Sequence, residues 1–464
     1  MILVWHRADL RTHDHPALEL AQGLSSGTNV PGLRVVPVFV LDPSLLEMPY
    51  SGRSRIAFLH VNLRALAESY RKLNSTLVVL YGSPEVELLR FAREHGVSEV
   101  HAIESLEPVG IRRDSRIRAV LEPNGIAFFL RPPESIHVPG SVRSGSGGPY
   151  KVFTPFYRTW LALGLPMPSQ SPTRLEPHGL PSMPIPEPTG TSPVNVPLPA
   201  AGQDVALAML EKFVREAGSH YESRRDLPAV AGTSSLSPYF HLGILSARTA
   251  ANAARAHTGW VRELAWRDFY RHILFEYPHL ETSAFKPEWN DFPWRDSSHD
   301  LQAWTEGQTG YPIIDAGMRQ LATTGWMHNR LRMIVASFLT KHLLIDWHEG
   351  ERVFNDRLID GDQASNNGGW QWATGCGVDA APYFRVFNPI TQGEKFDPNA
   401  EYIKRFVPEL EHLEPKLAHQ PWTAGRQPAG YPRPIVDLKF GRDRFLETAK
   451  RHLKGGTQQP MLEF

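Results

Sequence analysis

The stretch of residues 357–397, RLIDGDQASNNGGWQWATGCGVDAAPYFRVFNPITQGEKFD, concentrates residue types that folding alone does not explain. Two aspartates flank a glycine near its start, and two asparagines, two glycines and a Trp-x-Trp pair follow. Carboxylates, amides, closely approachable backbone and large rings together suit a large, flat ligand with polar edges. The alternative prediction is a surface loop followed by a short strand, because Asp, Asn and Gly are turn residues and Trp-x-Trp alternates.

The composition limits the classes to which the chain can belong. Its 464 residues are too many for one ordinary core and predict two or more domains. One cysteine, Cys376, excludes an internal disulfide and a cysteine-based zinc cluster, and we expect it to be a small packed residue. No basic segment leads into an apolar run and no apolar stretch could span a bilayer, so we expect a soluble, cytoplasmic protein. The formal net charge of zero neither predicts nor excludes binding to nucleic acid.

The N-terminal part alternates short apolar runs with segments of helical periodicity. Within residues 55–73, for example, apolar residues recur three and four apart. This alternation predicts an α/β domain with a Rossmann-like parallel sheet over residues 1–131. No GxGxxG follows the first strand, and the glycine-rich run at residues 144–149 is interpreted as a turn. The predicted strands are 2–5, 35–42, 76–82 and 99–104.

The remaining chain divides into a linker and a helical domain. Residues 132–199 are predicted to be a proline-rich interdomain linker, because eleven prolines lie between residues 166 and 199 without periodic apolar residues. Proline should hold that segment extended over the surface. Residues 200–464 predict an all-α domain. Nine of the twelve tryptophans lie between Trp260 and Trp372. Each buried indole N–H needs a partner, so ring stacking and electron transfer would explain the excess better than packing alone.

Three motifs in the helical part combine polar groups with rings. The run GTSSLSPYFHLGILS at residues 232–246 offers hydroxyls and backbone amides that suit an anion, although an ordinary capped helix start fits equally well. The run WVRELAWRDFYRH at residues 260–272 places rings, one carboxylate and one guanidinium on one helical face. A solvent-exposed face with an Arg–Glu pair is the alternative. The run GWMHNRLRMIVASF at residues 325–338 repeats the theme, and its His328 is expected to be structural.

These motifs resemble the DNA photolyase and cryptochrome family, and most closely its microbial class I cyclobutane pyrimidine dimer photolyases. The resemblance is densest in residues 357–397 and begins with VWHRADLRTHDHPAL at residues 4–18. It is weakest between about residues 132 and 199. It implies an α/β antenna-chromophore domain followed by a helical, catalytic domain that binds one FAD.

The resemblance assigns one set of residues to the flavin. Arg332 is the expected partner of Asp360 in a buried ion pair beside the cofactor, and the hydroxyl-rich run would hold the pyrophosphate and ribitol. The assigned residues are Tyr221, Thr233, Ser234, Ser235, Leu236, Ser237, Trp260, Arg267, Trp326, Asn329, Arg332, Asp360, Asp362 and Asn366.

A second set is assigned to damaged DNA and to electron transfer. By resemblance, Glu263 faces the lesion bases and Trp266 stacks on them. Arg225 and Arg330 would contact phosphates, which position a duplex without reading its sequence. The lesion-binding set is completed by Asn329, Met333 and Trp372, and the catalytic set comprises Glu263, Asn329, Met333 and an electron relay of Trp294, Trp347 and Trp370. Spacing does not indicate the relay, because isolated tryptophans are more often core residues.

The implied function is blue-light repair of pyrimidine dimers in DNA by a monomeric enzyme. Reduced FAD would pass an electron to a flipped-out dimer, the ring would split, and the electron would return. A cryptochrome photoreceptor is one alternative, but Asn366 stands where plant cryptochromes carry an acid facing flavin N5. A (6-4) photoproduct photolyase is another, but that branch would place histidines at Asn329 and Met333. A generic flavin oxidoreductase would need a hydride-donor site, and none is evident.

A second, light-harvesting chromophore is expected to be a deazaflavin or flavin rather than a folate. Folate-type members place an Asn-Glu pair shortly before an Arg-x-Asp ending, where this chain has Val109 and Gly110. The expected carboxylate is therefore missing. The run EPVGIRRD at residues 107–114 resembles the apolar, glycine-lined pockets of the deazaflavin and flavin members, although it also suits a solvated helix start.

Overall fold

The N-terminal part of the molecule is built on one parallel sheet. The computed structural model describes residues 1–21, 23, 34–46, 52–187, 196–424 and 428–453. Five strands lie in the order β3-β2-β1-β4-β5, and every paired neighbour is parallel. The predicted α/β class is confirmed. The elements are β1 (Ile2–His6), α1 (Pro16–Ala21), β2 (Val35–Leu41), α2 (Pro43–Leu46), α3 (Arg53–Lys72), β3 (Val78–Tyr81), α4 (Pro84–His95), β4 (Glu99–Ile103), α5 (Pro108–Leu121) and β5 (Ala127–Arg131).

The central strands are mostly apolar because helices cover both faces of the sheet. Every residue of β1 and of β2 is buried, as expected for parallel strands between two helical layers. All four predicted strands are present within two residues of their predicted bounds. The fifth strand, β5, was missed. It lies at the sheet edge, where Phe129 remains 38% exposed, so its apolar run is short and its burial incomplete.

The segment between the two parts contains a helix that the linker prediction lacks. Helix α6 (Phe153–Ala162) lies within residues 132–199 and buries Phe153, Phe156 and Trp160. From residue 163 to 187 the described chain has neither helix nor strand, as expected of the proline-rich run. Residues 188–195 of the predicted linker lie outside the described residues. The glycine-rich run at residues 144–149 forms the predicted turn, bridged between Arg143 and Pro149.

The C-terminal part is helical, which confirms the predicted class. A π-helical turn at Phe338–His342 interrupts it. None of the described helices has the length and apolar character needed to cross a membrane. The α-helices are α7 (Gln203–Glu216), α8 (Tyr221–Arg224), α9 (Ser237–His241), α10 (Ala247–Ala253), α11 (Thr258–Glu276), α12 (Ser298–Thr305), α13 (Pro312–Thr324), α14 (Asn329–Ser337), α15 (Trp347–Arg357), α16 (Gln363–Thr374), α17 (Pro389–Phe396), α18 (Glu401–Phe406), α19 (Pro415–His419) and α20 (Leu438–His452).

The asparagine- and glycine-rich residues 363–374 form helix α16, so the alternative of a loop and a short strand is wrong. Asp362 caps the helix by accepting a hydrogen bond from the Ser365 N–H at 2.9 Å. Gly368 is required because a Cβ there would lie 2.2 Å from the Tyr270 ring. Tertiary packing therefore overrides the low helix propensity of Asn and Gly.

The two parts share one core and a set of buried polar contacts. A continuous apolar cluster extends from Val4 and Phe58 beside the sheet to Phe269 in α11. Asp14 is fully buried and accepts a hydrogen bond from Arg248 at 2.9 Å, 234 residues away in the chain. Arg11 pairs with Glu134 at 2.6 Å and donates to the Gly243 carbonyl at 2.7 Å. The N-terminal part is therefore fixed against the helices that carry the candidate site.

Candidate active site

The predicted ion pair beside the α16 start is present. Arg332 on α14 donates from one nitrogen to both carboxylate oxygens of Asp360, at 2.8 and 3.1 Å. A further Arg332 nitrogen donates to the Met327 carbonyl at 2.9 Å, which fixes the guanidinium. Asp360 is buried, whereas the Arg332 side chain is 25% exposed. The pair thus joins α14 to the turn before α16.

Asp362 forms a second ion pair, which connects the start of α16 to α11. Its second oxygen accepts a hydrogen bond from Arg271 at 2.9 Å. Burial alone would raise the pKa of Asp362, but Arg271, Arg267 and the hydrogen bonds from Ser365 together hold that pKa well below its usual range. Burial lowers the pKa of Arg267 to about 10, so its guanidinium stays charged at neutral pH. Arg267 donates to the backbone carbonyls of Glu134 and Phe240, at 3.1 and 3.2 Å.

The side-chain amide of Asn366 is held by hydrogen bonds to the neighbouring helix α15. Its amide donates to the Asn355 side-chain oxygen at 2.7 Å and to the Glu351 carbonyl at 3.2 Å. The next residue, Asn367, donates to the Glu351 carboxyl at 3.1 Å. Burial raises the pKa of Glu351 to about 7 although Asn367 and His348 act against it. The carboxamide of Asn366 therefore has a fixed orientation on α16.

The hydroxyl-rich run offers free backbone donors at its first hydroxyls and a helix cap at its end. Helix α9 begins at Ser237 without any side-chain hydrogen bond at its N-cap, so the capped-start alternative is wrong there, whereas Ser246 caps α10. Ser235 adopts a left-handed conformation with φ of 54°, next to the right-handed Leu236. Among the described residues, the backbone N–H groups of Ser234, Ser235 and Leu236 donate to no acceptor. Such a left-to-right turn aims successive amides at one point, which is an anion-binding arrangement.

Two tryptophans border this run and fix its hydroxyls. The Trp260 indole N–H donates to Ser234 Oγ at 3.3 Å, and the Trp326 indole N–H donates to Ser237 Oγ at 3.1 Å. Tyr221 on α8 is buried beneath the Arg225 guanidinium, whose central carbon lies 5.3 Å from the ring centre. The structure thus brings Trp260 and Trp326 to the hydroxyl run, and Tyr221 packs on Phe213, which also contacts Trp260. Thr233, at the beginning of the run, is partly exposed.

The side chains of α11 that were predicted to lie on one face contact several different neighbours. Trp260 is buried against the hydroxyl run, whereas Glu263 pairs with Arg225 at 2.6 Å. Burial raises the pKa of Glu263 although Arg225 acts to lower it. Both side chains of this pair remain about a quarter exposed, at 27% and 25%. The alternative of a solvent-exposed face with an Arg–Glu pair is therefore correct for Glu263 only in part, since the pair is a quarter exposed, and it is wrong for Trp260, which is buried.

Trp266 lies against an aromatic residue that the sequence analysis missed. The Phe153 ring stacks on it at 3.7 Å with an interplanar angle of 7°, and Tyr270 lies beside it at 5.6 Å. Phe153 belongs to α6, inside the predicted linker. The signal was present in the sequence, because Phe153, Phe156, Tyr157 and Trp160 recur at helical spacing.

The arginines that the resemblance assigns to phosphates are paired with acids. Besides the pair of Arg225 and Glu263, Arg330 pairs with Asp226 at 2.8 Å and lies over the Phe396 ring at 4.3 Å. Asn329 is exposed at the start of α14, and Met333 lies one turn further on the same helix, partly buried. Trp372 is partly buried on α16. His328 is structural as expected, since its ring accepts the Arg330 N–H at 3.2 Å and caps α14.

The three tryptophans assigned to the electron relay lie in the helical part and differ in burial. Trp370 is 2% exposed and presses on α15, where a Cβ on Gly350 would lie 2.1 Å from its ring. Trp347 is fully buried at the start of α15 and stacks on His348 at 3.7 Å. Trp294 is partly exposed, and the following residue, Arg295, donates to the Leu344 carbonyl just before α15. Burial thus falls from Trp370 and Trp347 to Trp294.

A glycine is required where the folate-type carboxylate would stand. Gly110 is buried in the first turn of α5, and a Cβ there would lie 1.9 Å from Ser105 Oγ. Within this run Asp114 accepts from Arg113 at 2.9 Å and also from Arg7, whereas Arg112 lies 3.7 Å from the Glu281 carboxylate. Cys376 is fully buried, as expected of a packed residue.

Comparisons with known proteins agree on one family. Residues 2–176 match the model described as DNA photolyase, and residues 260–451 match the model described as the FAD binding domain of DNA photolyase. The chain is 38% identical to a deoxyribodipyrimidine photo-lyase of Synechococcus sp., covering 100% of this chain and 99% of that protein.

Solved structures of similar proteins share the whole architecture. A class III photolyase from Agrobacterium tumefaciens has a TM-score of 0.88 at 37% identity, covering 98% of both chains. An archaeal photolyase from Sulfolobus tokodaii with two FAD molecules has a TM-score of 0.85 at 34% identity, covering 97% of this chain and 100% of the other. A Synechocystis cryptochrome has a TM-score of 0.88 at 29% identity, covering 97% and 99%.

Proposed function

The chain belongs to the DNA photolyase family, and from that membership we propose that it is a light-dependent, FAD-containing repair enzyme for cyclobutane pyrimidine dimers. The observation that carries the proposal is helix α11. Within four turns it presents Trp260 to the hydroxyl run, Glu263 and Trp266 to a partly exposed surface, and Arg271 to the α16 cap. One helix thus supports both a cofactor side and a substrate side.

The donors present fit flavin adenine dinucleotide. The free amides around Ser235 and the neighbouring hydroxyls suit the pyrophosphate and ribitol, which carry negative charge and hydroxyl groups. Asp360, held by Arg332, and the amide of Asn366 suit the polar edge of the isoalloxazine ring. When bound and reduced, the flavin supplies the photochemistry by lending one electron to the dimer under blue light.

The chain's own residues would bind and orient the damaged nucleotide. Trp266 offers a ring on which a flipped base can stack, and such stacking is tolerant of sequence. Burial favours the protonated form of Glu263, and in that form its O–H would donate a hydrogen bond to the carbonyl edge of the dimer and stabilise the negative charge that develops there. Asn329 and Met333 on α14, with Trp372 on α16, would border the same pocket. Flipping is least costly for a base pair that is already badly stacked, which favours lesions.

Duplex DNA would be held at its phosphates by Arg225 and Arg330. Each arginine is paired with an acid in the free protein, so phosphate would replace a carboxylate partner rather than find an unpaired cation. This exchange is compatible with a formal net charge of zero. We further propose that the enzyme acts as a monomer and works in the cytoplasm, where one cysteine is the usage expected.

The residues at three positions favour dimer repair over the alternatives. The Asn366 carboxamide is fixed by α15, so an uncharged group stands where plant cryptochromes carry an acid. Asn329 and Met333 stand where a (6-4) photolyase would carry histidines. A light-harvesting chromophore, if bound, would be a deazaflavin or a flavin, because Gly110 leaves no room for a larger side chain.

The experiment uses the purified flavoprotein and short DNA duplexes with one defined lesion. After chemical reduction, blue light should restore the two pyrimidines from a cyclobutane dimer, and neither darkness nor a (6-4) photoproduct should give repair. Reversed-phase chromatography of the oligonucleotides measures both substrates. Repair of the (6-4) photoproduct alone, or of neither lesion, would refute the proposal.

A further inference from the structure

The predicted linker contributes a wall to the candidate lesion pocket. Phe153 and Trp266 lie in van der Waals contact, with ring centres 3.7 Å apart and planes within 7° of parallel. Phe153 is 2% exposed, whereas Trp266 remains partly exposed. One face of the Trp266 indole is therefore covered by Phe153, and a base can stack only on the opposite face.

The stack continues along α6 and returns to α11. Tyr157 lies 5.7 Å from Phe153 with an interplanar angle of 13°, and Trp160 lies 6.1 Å from Tyr157 with an angle of 26°. The Trp160 indole N–H donates to the buried carboxylate of Asp268 at 2.9 Å. Asp268 follows Trp266 by two residues on α11. The stacked rings of Trp266, Phe153, Tyr157 and Trp160 and this hydrogen bond therefore connect α11 and α6 in a continuous circuit of contacts.

The first turn of α6 is fixed by the helical part of the molecule. The Phe153 N–H donates to the Asp379 carboxylate at 3.2 Å, and the Asp379 N–H donates to the Lys151 carbonyl at 3.1 Å. Asp379 lies in the loop that follows α16. Residue Phe153 is thus held in two ways: its backbone is bonded to the loop after α16, and its ring packs on Tyr157.

We propose that Phe153 is a positioning residue for lesion recognition, because it fixes the plane of Trp266 so that the free indole face is already oriented for the flipped dimer. This inference rests on the proposed function of Trp266. A rigid ring loses little conformational entropy when a base stacks on it, so fixing the indole in advance strengthens binding. Phe269 meets the same indole edge-on and Tyr270 lies beside it with an interplanar angle of 33°, each with its ring centre 5.6 Å away.

The test compares Phe153→Leu with Phe156→Leu in the flavin-containing protein. Both residues are buried on α6. The Phe156 ring packs on Phe269 and His272 and lies 6.5 Å from Phe153, but among the described residues it makes no ring contact with Trp266. Phe153→Leu should weaken binding of a dimer-containing duplex by about two- to tenfold, the equivalent of one aromatic pair. Affinity for the undamaged duplex and the FAD content should not change. Phe156→Leu should leave the ratio of the two affinities as in the wild type.

A double-mutant cycle separates positioning from general support of the fold. Trp266→Ala alone should lower dimer affinity, and adding Phe153→Leu to it should cause no further loss. In protein labelled with 5-fluorotryptophan, the fluorine resonance that disappears in Trp266→Phe should broaden or split in Phe153→Leu. If Phe153→Leu does not retain FAD, Phe153→Met takes its place, because an unbranched side chain fills the space without a planar face.

The outcomes distinguish this inference from the proposed function. If Trp266→Ala binds dimer DNA like the wild type, the assigned lesion pocket is wrong and the inference falls with it. If Trp266→Ala is impaired but Phe153→Leu is not, the pocket stands and the inference is overturned. Equal losses in Phe153→Leu and Phe156→Leu, or an additive double mutant, would also overturn it, since they would indicate support of α6 in general.

Discussion

Asp360 is nearly enclosed, and its carboxylate depends on Arg332 for neutralisation. Asp360→Asn would leave the guanidinium without its charged partner and should weaken FAD binding. The loss should fall below the roughly 3 to 5 kcal/mol of a fully buried pair, because Arg332 is a quarter exposed. Flavin absorbance per chain after dialysis measures it. Asp356→Asn, an exposed site on α15 with the same charge change, is the control. Equal flavin retention in the two variants would show that the pair does not serve the cofactor.

Glu263 differs from Trp266 in what its removal should change. Glu263→Ala should lower the repair yield per absorbed photon about tenfold, less than loss of an oxyanion-hole donor, because the side chain remains partly exposed. Dimer affinity should fall less than repair, since the proposed role of Glu263 concerns charge that develops after binding. Quantum yield and equilibrium affinity are measured on one preparation. A parallel decrease of both quantities would contradict the role assigned here.

At the level of individual residues, the resemblance to a known family predicted what the local sequence could not. It implied that Arg332 and Asp360, 28 residues apart, form an ion pair, and they do so. The Asn366 amide was expected near the flavin, but its partners, Asn355 and the Glu351 carbonyl, come from α15. The sequence holds no local signal for such a pairing, because it depends on how two helices pack. Asp226 was missed for the same reason.

At the scale of elements, the strands were predictable because one pattern of burial dominates each of them. Helix α11 was predictable as a helix, but its division between several partners was not, because that depends on how neighbouring elements pack around it. Helix α16 was harder to predict. Its Asn and Gly residues favour turns locally, but neighbouring helices take up the Asn amides and the Tyr270 ring packs on Gly368. Helix α6 was missed because Pro155 lies in its first turn and the surrounding segment is rich in proline. Proline is tolerated in a first turn, so its presence there was no argument against a helix.

The packing of Trp370 between α15 and α16 allows a test of the electron relay. Trp370→Phe keeps most of the packing volume and should disturb the fold little. Light-driven reduction of oxidised FAD by an external donor should nearly stop, because phenylalanine is far harder to oxidise than tryptophan. Repair by chemically reduced enzyme should persist, since that electron does not cross the relay. Absorbance under blue light and repair assays with dithionite measure the two activities.

The matched control for the relay is Trp422→Phe. Trp422 packs on Tyr311 at 5.5 Å in the helical part, away from the three assigned tryptophans. Photoreduction in that variant should proceed as in the wild type. Loss of repair in Trp370→Phe even after full chemical reduction would mean that this residue supports the lesion site or the fold, and the relay assignment would fail.

At the scale of the whole molecule, buried histidines should make the fold sensitive to acid. Burial lowers the pKa values of His15, His328 and His342 to about 4. His15 and His328 each accept a backbone N–H through Nδ1, a bond that protonation would remove. Between the unfolded pKa of about 6.5 and the folded value, the unfolded chain binds more protons. The free energy of unfolding should therefore decrease as the pH is lowered through this window, by up to about 1.4 kcal/mol per pH unit for each histidine.

Thermal unfolding at pH 7 and pH 5 with excess FAD checks this dependence. His328→Asn keeps an acceptor at the α14 cap but cannot titrate, so its midpoint should fall less between the two pH values. His299→Asn is the control, because the His299 side chain is 86% exposed. If His328→Asn and the wild type lose the same number of degrees, His328 does not contribute to acid sensitivity.

The buried contact between Asp14 and Arg248 has a consequence for biosynthesis. The ribosome adds Asp14 234 residues before its partner, which at about 5 to 20 residues per second is a delay on the order of 10 to 50 seconds. Throughout that interval the nascent sheet exposes a carboxylate and apolar residues that the finished protein encloses. We therefore expect the emerging N-terminal part to bind ribosome-associated chaperones and to become resistant to protease only once α10 has left the exit tunnel.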